Sequence, residues 1–336
     1  MKLVMTLLAR NEADIVDAQI AYHLHAGVDF VIATDNRSDD GTTEIFERYR
    51  REGFLHLVRE DSDDMRQQDW VTRMARMAAT DFGADWVMNS DADEFWWPRG
   101  GTLKQVLELV PERYGVVRGC WRHFVARPAG DPIFSERMTA RLCTPAFPGD
   151  KTTIYHAHQK VAHRADPEVV VESGNHNAAG KRLEPIRAWR PIEVLHFSLR
   201  SVAQVSQKAR GGWSRHPVDA LVDHQIRLDQ EVHAGRAESF FASHVVSDDE
   251  LEHGLASGTL AIDTRLRDAL RTLRASDGTY HTSGAPLAFP PPGVEDTAAF
   301  AAETSVLVGI DGIVRAEERV EALARRLAAL RTLPRR

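Results

Sequence analysis

The sequence predicts an α/β protein: a mostly parallel open sheet with flanking helices, followed by a mainly helical C-terminal region. Three observations carry this. Short apolar runs alternate with amphipathic segments through the first ninety or so residues, the pattern of strand–helix–strand units. Beyond about residue 200 the apolar positions take helical spacing instead. The 336 residues are 43% hydrophobic and 27% charged, which supports a sizeable core in an ordinary globular chain.

The elements follow in order. Leu3 to Leu8 is a short apolar run, expected as a buried parallel strand. Asn11 is expected to cap the next helix, with Asp14 three residues on and Ile15, Val16, Ile20 and Leu24 at helical spacing before Gly27. Phe30 to Ala33 is a second strand. Asp35 to Thr43, "DNRSDDGTT", is a turn-rich loop leading into a helix that ends near Gly53. Leu55 to Val58 is a third strand. Ser62 opens a long helix with Val71, Met74, Ala78 and Phe82 in one stripe, and Trp86 to Met88 is a strand running into "NSDADEFWW". Gly115 to Val125 is expected as one long strand with Val117, Trp121 and Val125 on a shared face. Residues 126–195 are rich in Pro, Gly and His and show no clear period. "EVLHFSLRS" (Glu193 to Ser201) looks like a strand entering a helix, and "GAPLAFPPPG" (Gly284 to Gly293) like a linker. Ile313, Ala316, Val320, Leu323, Leu327 and Leu330 recur every three or four residues. That spacing fits an amphipathic C-terminal helix packed on its own domain, or the seam of a homodimer. The expected division is 1–212 and 213–336, the second part covering the acceptor side or an oligomer contact.

Composition removes several classes. The net charge of −7 leaves no nucleic-acid footprint. Two cysteines, Cys120 and Cys143, make neither a metal spacing nor a disulfide scaffold, and are expected as buried free thiols. No apolar run is long enough to span a bilayer. The opening "MKLVMTLLARNEAD" fits a first strand rather than a leader, so a cytoplasmic protein is expected. There is no phosphate-cradling G-x-x-x-x-G-K-[ST] loop and no G-x-S-x-G elbow.

The densest chemistry lies at Asp91, Asp93 and Glu94, beside Phe95, Trp96 and Trp97. It follows a strand, and open α/β sheets bind ligands beyond the carboxyl ends of their strands. In an extended segment Asp91 and Asp93 point the same way. Two carboxylates meeting at a point call for a hard divalent cation, Mn²⁺ or Mg²⁺, able to hold substrate phosphates. The aromatics would anchor the segment. Asp35, at the end of a strand, could accept from a uracil N–H or could simply form its turn. Arg66, with Gln67 and Arg73, lies on the helix before the acid strand, where a base could offset diphosphate charge. Lys160, Arg164, Arg200 and Lys208 could meet phosphate or acceptor.

"LLARNEAD", "ATDNRSDDGT" and "GADWVMNSDADEF", in that order and each after a strand, together resemble the family 2-type glycosyltransferases with the GT-A fold. The likeness is to a bacterial branch carrying N-E-x-x, D-N-x-S-x-D-G-T and D-x-D-E-F, and it spans roughly residues 1–210. The resemblance implies a nucleoside-diphosphate-sugar donor, with Arg10 and Glu12 near its base and ribose and Asp35 on the base. It implies Asp91 at the ribose or a metal-bound water, and Asp93 on the metal. A further metal contact would come from a downstream histidine, His196 in "LHFSLRS" or else His176 in "ESGNHN". The family's Glu-Asp base is missing between Glu94 and His196, so Glu136 and Asp150 are the acids left for that role. The expected activity is metal-dependent transfer of a sugar, from a UDP-sugar by preference, to a glycan, lipid-linked or small-molecule hydroxyl. A nucleotidyltransferase on a similar scaffold and a non-catalytic carbohydrate-recognising protein of the same fold are the alternatives.

Overall fold

The computed structural model describes residues 1–280 apart from 63–65, 100, 129, 131–132, 144–152, 187–188 and 212–222, together with Leu323. The expected linker at 284–293 and Asp150 lie outside the described residues. So does the C-terminal heptad stretch, Leu323 apart.

Strands β1 (Leu3–Ala9), β2 (Phe30–Asp35), β3 (Leu55–Arg59) and β4 (Trp86–Asp91) form the parallel half of the sheet. Their crossovers are α1 (Val16–His25), α2 (Thr42–Arg51) and α3 (Gln67–Thr80). After β4 the chain turns at once into β5 (Glu94–Pro98), which does not pair with β4 but crosses to the far edge of the sheet. Helix α4 (Leu103–Glu108) starts from a Thr102–Gln105 capping box, and β6 (Val116–His123) follows.

Residues 126–195, which showed no period, supply α5 (Phe134–Arg137), β7 (Ala140–Leu142) and β8 (Gln159–Arg164), then the short hairpin β9 (Val170–Val171) and β10 (Ala178–Ala179), and lead into β11 (Ile192–His196). The eight-stranded order is β3-β2-β1-β4-β8-β6-β11-β5. Four of its seven pairings are parallel; β8 runs antiparallel to β4 and β6, and β5 antiparallel to β11. Beyond β11 come α6 (Val202–Gly211), α7 (Asp223–His233), α8 (Ala237–Ala242), α9 (Asp248–Ser257), β12 (Leu260–Ile262) and α10 (Arg265–Leu273). β12 pairs with β7, and Leu266, Ala269, Leu270 and Leu273 of α10 join the same core as Tyr22 and Trp97. Among the described residues no helix is long and apolar enough to cross a membrane.

The placement of β5 decides the site. Phe95, Trp96 and Trp97 are fully buried, so this edge strand cannot face water. Helix α1 covers it. The Tyr22 hydroxyl donates to the Trp96 carbonyl, and the Trp96 N–H donates to His23 Nε2 at 3.0 Å. His23 Nδ1 in turn lies 2.8 Å from the Gln19 carbonyl, where only an N–H can serve. The imidazole is therefore neutral, and burial lowers its pKa to about 3.

Four local expectations are corrected. Asn11 is not a helix cap: it sits at φ +54°, its Oδ1 accepts from the Asp39 N–H, and its own N–H donates to Ser38, so it ties two loops together. Helix α1 begins at Val16 instead. The long helix begins at Gln67 rather than Ser62. The long strand ends at His123, because Val125 leaves to donate to the Ala140 carbonyl. Both cysteines are free, but partly exposed rather than buried.

Two predictions follow from this packing. A Cβ at Gly119 would lie 2.7 Å from Val194 Cγ2, across the β6–β11 pairing. Gly119→Ala should cost about 1–3 kcal/mol in urea unfolding. His163 is fully buried, donates from Nδ1 to the Arg164 carbonyl, and is lowered to about 4 by burial. A depressed histidine favours the folded state above its unfolded pKa, and that stability is lost as pH falls toward 4. His163→Asn should therefore gain roughly 2 kcal/mol relative to the parent between pH 8 and pH 5, read by urea titration at both pH values.

Candidate functional site

The acidic stretch lies at the carboxyl end of β4. It is a turn, not an extended segment, so the two-residue alternation expected to align Asp91 with Asp93 does not operate. The two side chains go to different cations. Asp91 pairs with Lys160 Nζ and accepts from Asn175 Nδ2 at 2.9 Å. Asp93 meets Lys208 at 2.7 Å, His196 at 3.7 Å and Arg200 at 3.9 Å.

Glu94 is the residue that joins the site. The antiparallel register of β5 on β11 sets Glu94 opposite His196, and β11 on β6 sets His196 beside His123. Glu94 is fully buried. It lies 3.0 Å from Lys160, accepts from Trp121 Nε1 at 2.7 Å, and accepts from the Asp91 N–H at 3.2 Å. Among the described residues, Asp93, Glu94 and His196 form the one group of three or more possible metal ligands with donor atoms within 4.8 Å of one another. Asp91 and His176 are not in it.

Charge in this region does not balance. Arg200 reaches Glu12 through Nη2 and Asp14 through Nε at 2.7 Å, drawing the β1–α1 loop to Asp93. Among the described residues, Glu12, Asp14, Asp91, Asp93 and Glu94 thus face Lys160, Arg200 and Lys208, five carboxylates to three cations. Burial pushes Glu94 up to about 8 and Glu12 up to about 7, against the pull of their cations. Burial also works to raise Asp93, but Lys208, His196 and Arg200 outweigh it and hold that carboxyl well below the usual range. Protonation is how the protein alone relieves the surplus; a divalent cation would do so as well.

The histidines set the free lone pair. His123 Nε2 lies 2.8 Å from the His156 carbonyl, so it must carry the proton. His123 Nδ1 then accepts, and His196 Nδ1, 3.2 Å away, donates to it. That leaves the Nε2 lone pair of His196 facing the Asp93 carboxylate. Two acceptors confronting one another want a cation between them. Burial lowers the His196 pKa and keeps the ring neutral, although Asp93 pulls the other way. Trp121 holds the ring by stacking on it at 4.3 Å. Two carboxylates and a neutral imidazole fit Mn²⁺ better than Mg²⁺, which prefers oxygen ligands.

The other expected residues scatter. Arg10 and Asp35 lie at the carboxyl ends of β1 and β2, the same edge as Asp91. Arg10 donates to Asn36 Oδ1 at 3.3 Å. Asp35 is buried and accepts from the Ser38 N–H and the Thr43 hydroxyl, so its carboxylate holds the loop in shape. Arg66 is exposed at the start of α3 and pairs with Asp69. His176 stacks on His158 at 3.4 Å and donates from Nδ1 to the Gln159 carbonyl; burial lowers it to about 2. Glu136 accepts from Nε and Nη2 of Arg271, and among the described residues no hydrogen bond or ion pair joins it to Asp93. Arg200, Lys208 and Lys160 do converge. Glu94 was visible in the acidic stretch without an assigned role, whereas His123 gave no local signal, because only strand register brings it to His196.

No family model and no curated protein sequence matches the chain. Solved structures to which it is similar include S. aureus TarS 1–349 in complex with UDP-GlcNAc, at 14% identity over 71% of this chain and 73% of that one, with a TM-score of 0.36. Another is glucosyl-3-phosphoglycerate synthase from Mycobacterium tuberculosis in complex with Mn²⁺, UDP and glucosyl-3-phosphoglycerate, at 20% over 38% and 44%, TM-score 0.24. A third is 4-diphosphocytidyl-2C-methyl-D-erythritol synthase, at 11% over 49% and 75%, TM-score 0.27. At these scores the likenesses bear no weight for this chain, whose site stands on its own geometry.

Long-range ¹H–¹⁵N spectra of the metal-free protein at pH 7.5 should report His123 as the Nε2–H tautomer and His196 as the Nδ1–H tautomer. The reverse assignment for His196 would remove its ligating lone pair from Asp93.

Proposed function

We propose that this chain is a metal-dependent glycosyltransferase that moves a sugar from a nucleoside-diphosphate sugar, UDP-sugar favoured, to an acceptor hydroxyl. One observation carries the proposal: Asp93, Glu94 and His196 converge, buried, at the carboxyl end of a central parallel strand. The resemblance of the three sequence motifs to family 2-type glycosyltransferases supports it.

Asp93, Glu94 and His196 would hold a divalent ion, Mn²⁺ for preference. Bound there, such an ion supplies positive charge to a departing diphosphate. The chain's own residues do the rest. Lys208 and Arg200, now spent on Asp93 and its neighbours, would turn to the donor phosphates once the ion takes up the carboxylate charge. Lys160 would keep Asp91 in place beside the ribose, bridging it to Glu94. Arg10 and Asp35 line the sheet edge where a base would lie, Asp35 shaping the loop. The buried aromatics of β5 keep water from the far side of Glu94. Glu136 and Asp150 are the proposed acids for the acceptor proton; Glu136 would first have to release Arg271.

Mn²⁺ titration by calorimetry, followed by UDP, GDP and CTP on the loaded protein, tests this. Asp93→Asn and His196→Ala should each weaken Mn²⁺ at least tenfold, and UDP should bind only with the ion present. A screen of nucleotide sugars for donor hydrolysis should find one that Asp93→Asn cannot use. Metal-dependent stabilisation by CTP with no response to any diphosphate would favour a nucleotidyltransferase, and no response to either would leave only carbohydrate recognition.

A further inference from the structure

We infer that Asn175 is a positioning residue for Asp91, and that through it the site selects a ribose over a deoxyribose. The inference rests on the function proposed above, in which Asp91 lies beside the donor ribose. In "ESGNHN" it is not His176, whose ring turns to the Gln159 carbonyl, but its neighbour that reaches the acids.

Asn175 is 1% exposed, and its Nδ2 donates to Asp91 Oδ1 at 2.9 Å. Lys160 takes the other oxygen, Asp91 Oδ2. One donor on each oxygen fixes the plane of the carboxylate and leaves each oxygen a further lone pair. The Asp91 side chain is still 29% exposed, so those lone pairs can be reached. Two such acceptors side by side suit a vicinal diol, each hydroxyl donating to one oxygen. The ribose 2′- and 3′-hydroxyls are such a diol. Without Asn175 the carboxylate is free to turn its second oxygen to Lys160 as well, and the paired acceptor is lost.

The backbone here is strained. Asn175 sits at φ +60° directly after Gly174 at φ +76°, so a residue with a side chain takes a left-handed conformation. The segment is clamped on α3. Gln67 Oε1 accepts from the Ser173 hydroxyl at 2.9 Å and from the Gly174 N–H at 3.1 Å. The Thr72 hydroxyl accepts from the Val171 N–H and donates to the Val171 carbonyl. Asn175 Oδ1 is buried, and among the described residues nothing hydrogen-bonds it. A left-handed backbone and a half-satisfied buried amide both lower stability, so local stability does not account for this residue. Its one side-chain contact of this kind is with Asp91.

Calorimetry on the Mn²⁺-loaded full chain, with UDP and GDP beside dUDP and dGDP, tests this. The parent should bind one ribonucleotide at least roughly tenfold more tightly than its deoxy form, the worth of one hydrogen bond to a charged group. Asn175→Gly meets the positive φ freely and removes the amide. It should cut that ratio at least roughly fivefold with Mn²⁺ affinity unchanged. Asn175→Asp keeps the shape and loses the donor when ionised, and should lower the ratio in the same way, since its added charge acts on both nucleotides alike. A parent that does not distinguish the two sugars, a ratio retained in the variants, or a matching loss of Mn²⁺ affinity in Asn175→Gly would overturn the inference and leave the proposed function standing. No binding of either ribonucleotide by the loaded parent would remove both.

Discussion

Two neighbouring carboxylates, Asp93 and Glu94, are buried at the end of β4 with too little positive charge around them, and the neighbouring structure is arranged about that fact. Burying ionised groups is costly unless each finds a partner and its hydrogen bonds. Lys160, Lys208, Arg200 and the Trp121 indole supply most of what is needed, from three elements and the loop between β11 and α6. The remainder is met by holding protons on Glu94 and Glu12, whose pKa values stand near neutrality.

The rigidity that such a site requires comes from β5. Its three aromatic residues cannot be exposed, so the strand is driven to an edge that α1 can roof, and His23 and Tyr22 take up the backbone groups an edge would leave bare. Glu94 is the first residue of that strand. The carboxylate is consequently positioned by a hydrophobic constraint several residues away, with His196 brought opposite it by the same pairing.

Trp121, His123 and His196 lie on one face of β6 and β11, and Cys120, Arg122 and Glu193 on the other. Since β6 and β11 carry both sets, a displacement of either strand would be felt on both faces. Between them, a methyl group at Gly119 would lie 2.7 Å from Val194 Cγ2.

Much was legible in the residues themselves. The strand–helix alternation of the first ninety residues and the acidic stretch beyond β4 follow from local pattern, because period and polarity are local properties. Tertiary structure alone decided the antiparallel insertion of β8, the transfer of β5 to the far edge, and the pairing of β12 with β7, since nothing in a short window specifies which strand lies beside which. It also decided that Glu94 and not Asp91 stands with Asp93 and His196, and that His123 sets the tautomer of His196. Those relations depend on register between strands far apart in the chain, where a shift of one residue would turn every side chain to the other face.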